Sequence, residues 1–186
     1  MKWHVIHLAD VPATAWKNGG GVTRELAVWP QPADWVWRMS VADVAQDGPF
    51  SVFEGIDRWF AVLDGAGVQL DMAGKTCTLT PADPPFFFDG ATPVDCRLLA
   101  GKTLDFNLML RRGSASAHMQ RVSGSFEKRV DARKIIAVYT QGNGASLAFD
   151  QEKLVLPAFS LAWLQLEAPT RIELTAEDAL WMEIAL

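Results

Sequence analysis

The chain has 186 residues, 49% of them hydrophobic, and a formal net charge of −5. That is enough apolar material for one large domain or two small ones and argues against disorder. An acidic chain without a Lys/Arg cluster is unsuited to general nucleic-acid binding, which needs a basic surface to displace counterions, and no run nears the roughly 20 apolar residues of a membrane span.

The start, MKWHVIHLAD, has a single Lys and no long apolar core, so no secretory signal is read there and a cytoplasmic location is expected. KWHVIHL reads as a strand. Next comes WKNGGGVTREL, residues 16 to 26. A phosphate loop would place Lys after the glycines, and a dinucleotide loop would open a helix. Here Lys17 precedes Gly19, Gly20 and Gly21, and VTRELAVW is β-branched and aromatic, which is strand chemistry. The glycines are therefore read as a tight turn or bulge.

Further strands follow in WVWRMSVADV, RWFAVL, GVQLDM, KTCTLT, PFFFD, DCRLLA, LDFNLML, AHMQRVSG, RKIIAVYT, ASLAF, FSLAWLQL, RIELTA and LWMEIAL. Gly, Pro, Asp and Asn pieces such as DGAG, MAGK and TQGNG separate them, at the spacing of sandwiches and barrels. Helical periodicity is almost absent, so the chain reads as all-β. A small-residue stretch, RRGSASA, marks a soft boundary between a first β unit, 1–112, and a second, smaller one, 113–186, with strand exchange between them left open. Cys77 and Cys96 lack metal-ligand spacing and are expected to be reduced and buried.

Alternation assigns faces, because successive strand residues point to opposite sides. Arg38, Ser40 and Ala42 share one face of WVWRMSVADV; Arg58 lies with Phe60 and Val62; Asp105, Asn107 and Met109 oppose Phe106, Leu108 and Leu110. Three strands thus carry polar groups among apolar ones. Either a solvated sheet face or the lining of a small cavity has this pattern.

The runs WKNGGGVTREL, WRMSVADV, DGPFSVFEGIDRWFAVLDG and DFNLMLRRG, in that order over residues 16 to 112, resemble the HutD/Ves family, cupin-class bacterial proteins associated with histidine utilisation or stress responses. The resemblance implies a compact bicupin, two packed β-barrels or sandwiches in one chain, with a pocket in the first. Metal-binding cupins carry His-x-His, Glu and Gly at set spacings, followed by a further His. Counting back from Gly65 puts Arg58 at the Glu position, Phe53 and Ser51 at the two His positions, and Phe86 or Phe87 near the later one. With only three His in the chain, His4, His7 and His118, no metal and no cofactor are expected.

An arginine projecting into a barrel needs an anion. Asp105 or Glu54 would supply one internally; alternatively Arg58 grips a ligand carboxylate with its planar fork. The candidate ligand-binding set is Trp16, Lys17, Asn18, Gly19, Gly20, Thr23, Arg24, Arg38, Ser40, Phe50, Ser51, Arg58, Phe60, Asp105 and Asn107. The expected partner is a small carboxylated metabolite, with neither nucleic acid nor membrane, and a homodimer stays open. Two functions compete: a modulatory binding module of amino-acid catabolism, and a metal-independent epimerase, lyase or hydrolase. No Ser-His-Asp or Cys-His set supports the second.

Overall fold

The computed structural model describes residues 2–149 and 152–186. Its strands are β1 (His4–His7), β2 (Thr14–Ala15), β3 (Gly21–Trp29), β4 (Trp37–Val44), β5 (Gly48–Pro49), β6 (Ile56–Asp64), β7 (Val68–Met72), β8 (Lys75–Leu79) and β9 (Phe86–Asp89). They continue as β10 (Asp95–Leu98), β11 (Thr103–Arg111), β12 (Ser116–Val130), β13 (Ile135–Thr140), β14 (Ala145–Phe149), β15 (Glu152–Leu156), β16 (Ser160–Gln165) and β17 (Thr170–Ala185). One 3-10 turn, Leu8–Asp10, is the sole helical element among the described residues, and no helix there is long and apolar enough to cross a membrane. The protein is all-β.

Two compact units divide the chain, one of Pro12–Ser114, the other of Met1–Val11 with Ala115–Leu186. In the first, a six-stranded antiparallel sheet runs β2-β3-β4-β11-β6-β9 and a four-stranded one β5-β10-β7-β8. Phe60, Val62 and Phe88 of the larger sheet meet Val68, Leu70, Leu79 and Cys96 of the smaller in one core. Because residues paired across a ladder share a face, the register fixes what lines this interior. Arg38, Met109 and Arg58 form one row; Ser40, Asn107 and Phe60 form the next; Ala42, Asp105 and Val62 the third. These are the faces that alternation assigned.

In the second unit the sheet order is β1-β16-β13-β17-β14-β15, with β12 also paired to β17. The N-terminal residues belong here because His4–His7 ladders onto Ser160–Trp163. β12 and β17 are long, and their pairing slips between Val122 and Gly124, where Gly124 has φ +85°. The bulge curls the sheet. Phe126 pairs in register with Leu174, yet its ring lies 5.1 Å from Trp181. The buried set includes Ile136, Val138, Leu147, Leu164 and Trp181.

The strand pattern differs from the sequence reading in four places. AHMQRVSG does not stop at Gly124 but continues through SFEKRV. RIELTA and LWMEIAL are one strand, the intervening EDA being carried by the same bulged ladder. EKLVL is a strand despite two charges, at the sheet edge beside β14. The two-residue β2 and β5 are too short for alternation to reveal.

Candidate functional site

Arg58, which shares its strand face with Phe60 and Val62, is only 5% exposed. Its Nη2 donates to Asn107 Oδ1 at 2.9 Å and its Nη1 to the Ser51 backbone oxygen at 3.5 Å. Three rings surround the guanidinium, with centroids 4.9 Å (Phe88), 5.4 Å (Phe50) and 5.6 Å (Phe53) from it. Aromatic faces attract a cation but do not neutralise it. Burial, and then the nearby Arg38, pull the Arg58 pKa down to about 10. Among the described residues its Nε has no hydrogen-bond partner.

Neither expected internal anion answers this charge. Asp105 is fully buried, accepts from Thr103 Oγ1 at 2.8 Å and leaves its Oδ1 without a partner among the described residues. Burial pushes the Asp105 carboxyl up to about 7, against the Thr103 hydrogen bond and helped by Asp43. Glu54 is exposed. What holds Arg58 is therefore dipoles and rings.

Arg38, in the same row, stacks over Trp35 at 5.5 Å and stands 3.8 Å from Glu25. Ser40 is buried opposite Asn107. Phe50 and Phe60 are 5.7 Å apart, Phe60 being part of the core. Ser51 is exposed and contributes its backbone oxygen. Phe50 and the Ser51 carbonyl touch the Arg58 guanidinium, while Arg38 and Ser40 share its face of the sheet.

The glycine loop does not join them. Gly21 registers with Val44, six residues along β4 from Arg38, which is about 20 Å of strand. Trp16 and Gly21 close a hairpin through the Trp16 N–H to Gly21 oxygen bond of 2.9 Å, and the Trp16 indole donates to Thr23 Oγ1 at 2.7 Å. Asn18 spends its side-chain oxygen on the Gly20 N–H, at 3.0 Å, inside the turn. Gly19 adopts φ +72°, and a Cβ on Gly21 would meet the Asp43 backbone oxygen. Turn geometry accounts for the glycines, and Lys17 is exposed at the tip. Arg24 registers with Val41, so it points away from the Arg58 face, where it pairs with Asp43 at 2.8 Å. Grouping Lys17, Asn18, Gly19, Gly20 and Arg24 with Arg58 overlooked the length of β4 and the alternation of β3.

Phe53 and Phe88 contribute cover to the guanidinium that the sequence reading did not assign. Phe88 registers directly with Arg58 across β6 and β9. The signal was the alternation in PFFFD, readable once the partner strand is known.

The histidines stand apart: His4 stacks on Trp163 at 4.3 Å, and His7 accepts from the Ala9 N–H. Among the described residues no three His, Cys, Asp or Glu side chains are placed to hold a metal ion. At the position where a metal-binding cupin would offer a carboxylate stands a desolvated guanidinium, which repels a cation. The residues present do not fit such a metal.

In the other unit, Glu183 is 7% exposed and binds Lys128 at 3.1 Å, Lys134 at 3.2 Å and the Trp181 indole at 3.2 Å. Every acceptor there is met by a donor of the same unit. The cluster ties β12, β13 and β17 together.

The HutD family model matches residues 8–182. Protein Ves of Cronobacter sakazakii is 38% identical over 117 residues, 62% of this chain and 65% of that protein. A 21.2 kDa protein from the hutC 3′ region of Pseudomonas putida is 36% identical over 124 residues, 65% of each. The match therefore spans just under two thirds of either relative. Among solved structures, a conserved protein of unknown function from Pseudomonas aeruginosa PAO1 aligns over 100% of this chain and 98% of its own, with TM-score 0.88 and 30% identity. HutD from Pseudomonas fluorescens SBW25 aligns over 99% and 98%, with TM-score 0.86 and 29% identity. An oxalate decarboxylase from Lactobacillus farciminis aligns over 97% and 85%, with TM-score 0.65 at 9% identity, a likeness of fold alone. The fold is cupin-like.

Proposed function

The chain belongs to the HutD family, and on that premise we propose that it is a bicupin, one cupin-type fold in each unit, whose Arg58 binds the carboxylate of a small metabolite without a metal. One observation carries this reading: a buried guanidinium with no carboxylate partner and an unpaired Nε among the described residues. An isolated buried cation is a standing cost, and a planar carboxylate is the ligand that arginine's fork best matches. The Pseudomonas putida relative lies in a hut region, which supports a modulatory role in histidine or amino-acid catabolism. Cytoplasmic residence accords with unbridged Cys77 and Cys96.

A thermal-shift screen of carboxylated catabolites tests the reading, since a ligand of the native state raises the melting temperature by linkage. Arg58→Met should remove the response to any hit while leaving the unliganded protein within about 1 kcal/mol of wild type, because no internal ion pair is broken. Arg58→Lys keeps charge but loses the fork, so it should bind clearly more weakly and fold normally. A hit response intact in Arg58→Met would sink the proposal.

A second reading, a metal-independent enzyme, draws on Asp105, a buried carboxyl whose pKa of about 7 suits proton transfer. Turnover of the hit separates the two. Stoichiometric iron, manganese, zinc or nickel in protein purified without an affinity tag would overturn the metal-free part.

A further inference from the structure

The Arg58 face carries a second guanidinium. Arg38 of β4 and Arg58 of β6 both register with Met109 of β11, so the three side chains form one row on one side of the sheet. Two strand spacings separate the arginines, roughly 10 Å between Cα atoms. They feel each other, since Arg38 is the charge that lowers the Arg58 pKa after burial has done so. Each keeps a buried Nε without a hydrogen-bond partner among the described residues. Compensation in the row is slight. Arg38 has Glu25 at 3.8 Å, beyond hydrogen-bond reach, and that carboxylate is 43% exposed; Arg58 has an amide and a carbonyl.

Resting on the carboxylate reading of Arg58, we propose that the ligand is a dicarboxylate, one carboxylate held by Arg58 in the interior and the other by Arg38 nearer solvent, in place of Glu25. A monoanion would neutralise one guanidinium and leave the other without a counter-charge in hydrogen-bond reach. A dianion answers both. Between the two cations the row offers Met109, 4% exposed, and the flanking rings are Trp35 on one side and Phe50 and Phe53 on the other. That environment suits an apolar linker joining the carboxylates. A ligand with an ammonium group at the Arg38 end would be repelled.

Isothermal titration calorimetry with succinate, glutarate and adipate, set against butyrate as the monoanion, tests this at low ionic strength, where the charges are least screened. The best dicarboxylate should bind at least about tenfold tighter than butyrate, the gain of one further charge-assisted contact. Arg38→Gln should take away most of the dicarboxylate's advantage, weakening it clearly more than butyrate. Glu25→Gln, an exposed change that threatens no packing, should tighten the dicarboxylate alone by removing its competitor. Equal affinity for butyrate and every dicarboxylate, or no response to Glu25→Gln and equal losses in Arg38→Gln, would overturn the dicarboxylate assignment and leave the Arg58 reading standing. Failure of butyrate and all dicarboxylates to bind would overturn both.

Discussion

Asn107 Oδ1 accepts a hydrogen bond from Arg58 Nη2 at 2.9 Å, between adjacent rows of the paired strands β11 and β6. A neutral amide thus occupies the place that a carboxylate would take in an internal ion pair.

Asn107→Asp would put an anion there with almost no change of shape. The unliganded protein should then melt higher, because a buried cation gains its counter-charge within hydrogen-bond distance. Response to carboxylates should disappear, since the site now holds its own. Scanning fluorimetry of the variant with and without ligand reads both effects. A lower melting point together with an undiminished ligand shift would mean that Arg58 is not waiting for an anion.

Asp105 gives a pH dependence of unusual sign for a carboxylate. Its folded pKa, about 7, lies above the unfolded value. Between roughly pH 4 and 7 the unfolded state therefore releases a proton that the native state keeps, and stability falls as pH rises through this window. Asp105→Asn mimics the protonated acid and retains an oxygen for the Thr103 hydroxyl. The variant should match wild type near pH 4 and exceed it by a few kcal/mol, at most about 4, above pH 7. Urea melts across that range decide it; a variant less stable at neutral pH would show that the ionised carboxylate is wanted.

Much of this face was legible because β4, β6 and β11 pair without interruption from Asp105 to Met109: alternation put Arg38, Ser40, Arg58, Asp105 and Asn107 on one side, and the ladder then joined them. What alternation cannot give is register. Phe88 lies under Arg58 only because β9 pairs with β6 at that offset, a long-range choice set by the core. Lys17 and Asn18 sat near Arg58 only in the shared polarity of their motifs, and strand length separates them. Gly124 and the EDA stretch of β17 looked like ends because bulges use turn residues inside a continuous strand.

The glycine loop makes a prediction of its own. A Cβ at Gly21 would run into the Asp43 backbone oxygen and lie 3.3 Å from the Trp16 ring, whereas one at Gly20 would lie 3.3 Å from the Asn18 side chain, which can move. Gly21→Ala should cost about 2 kcal/mol, as overpacking against a fixed backbone does. Gly20→Ala should cost clearly less. Chemical denaturation of the two variants ranks them, and equal costs would remove close approach as the reason for Gly21.

Glu183 supplies the opposite pH behaviour from Asp105. Burial raises its pKa, but hydrogen bonds from Lys128, Trp181 and Lys134, with the Lys128 charge, outweigh that and leave it below the ordinary glutamate value. A depressed folded pKa means stability that is present above the unfolded pKa, about 4, and is lost as pH falls through the folded one. Glu183→Gln leaves two ammonium groups facing an amide. Because Lys128 and Lys134 are 43% and 33% exposed, water offsets part of the loss, and the cost at neutral pH should be about 2 kcal/mol rather than the 3 to 5 of a fully buried pair. The gap between variant and wild type should close as the solution is acidified through the carboxylate range. Urea titrations of variant and wild type over that pH range measure the gap. A gap that stays constant from neutral pH into acid would mean that the Glu183 charge does not hold β12, β13 and β17 together.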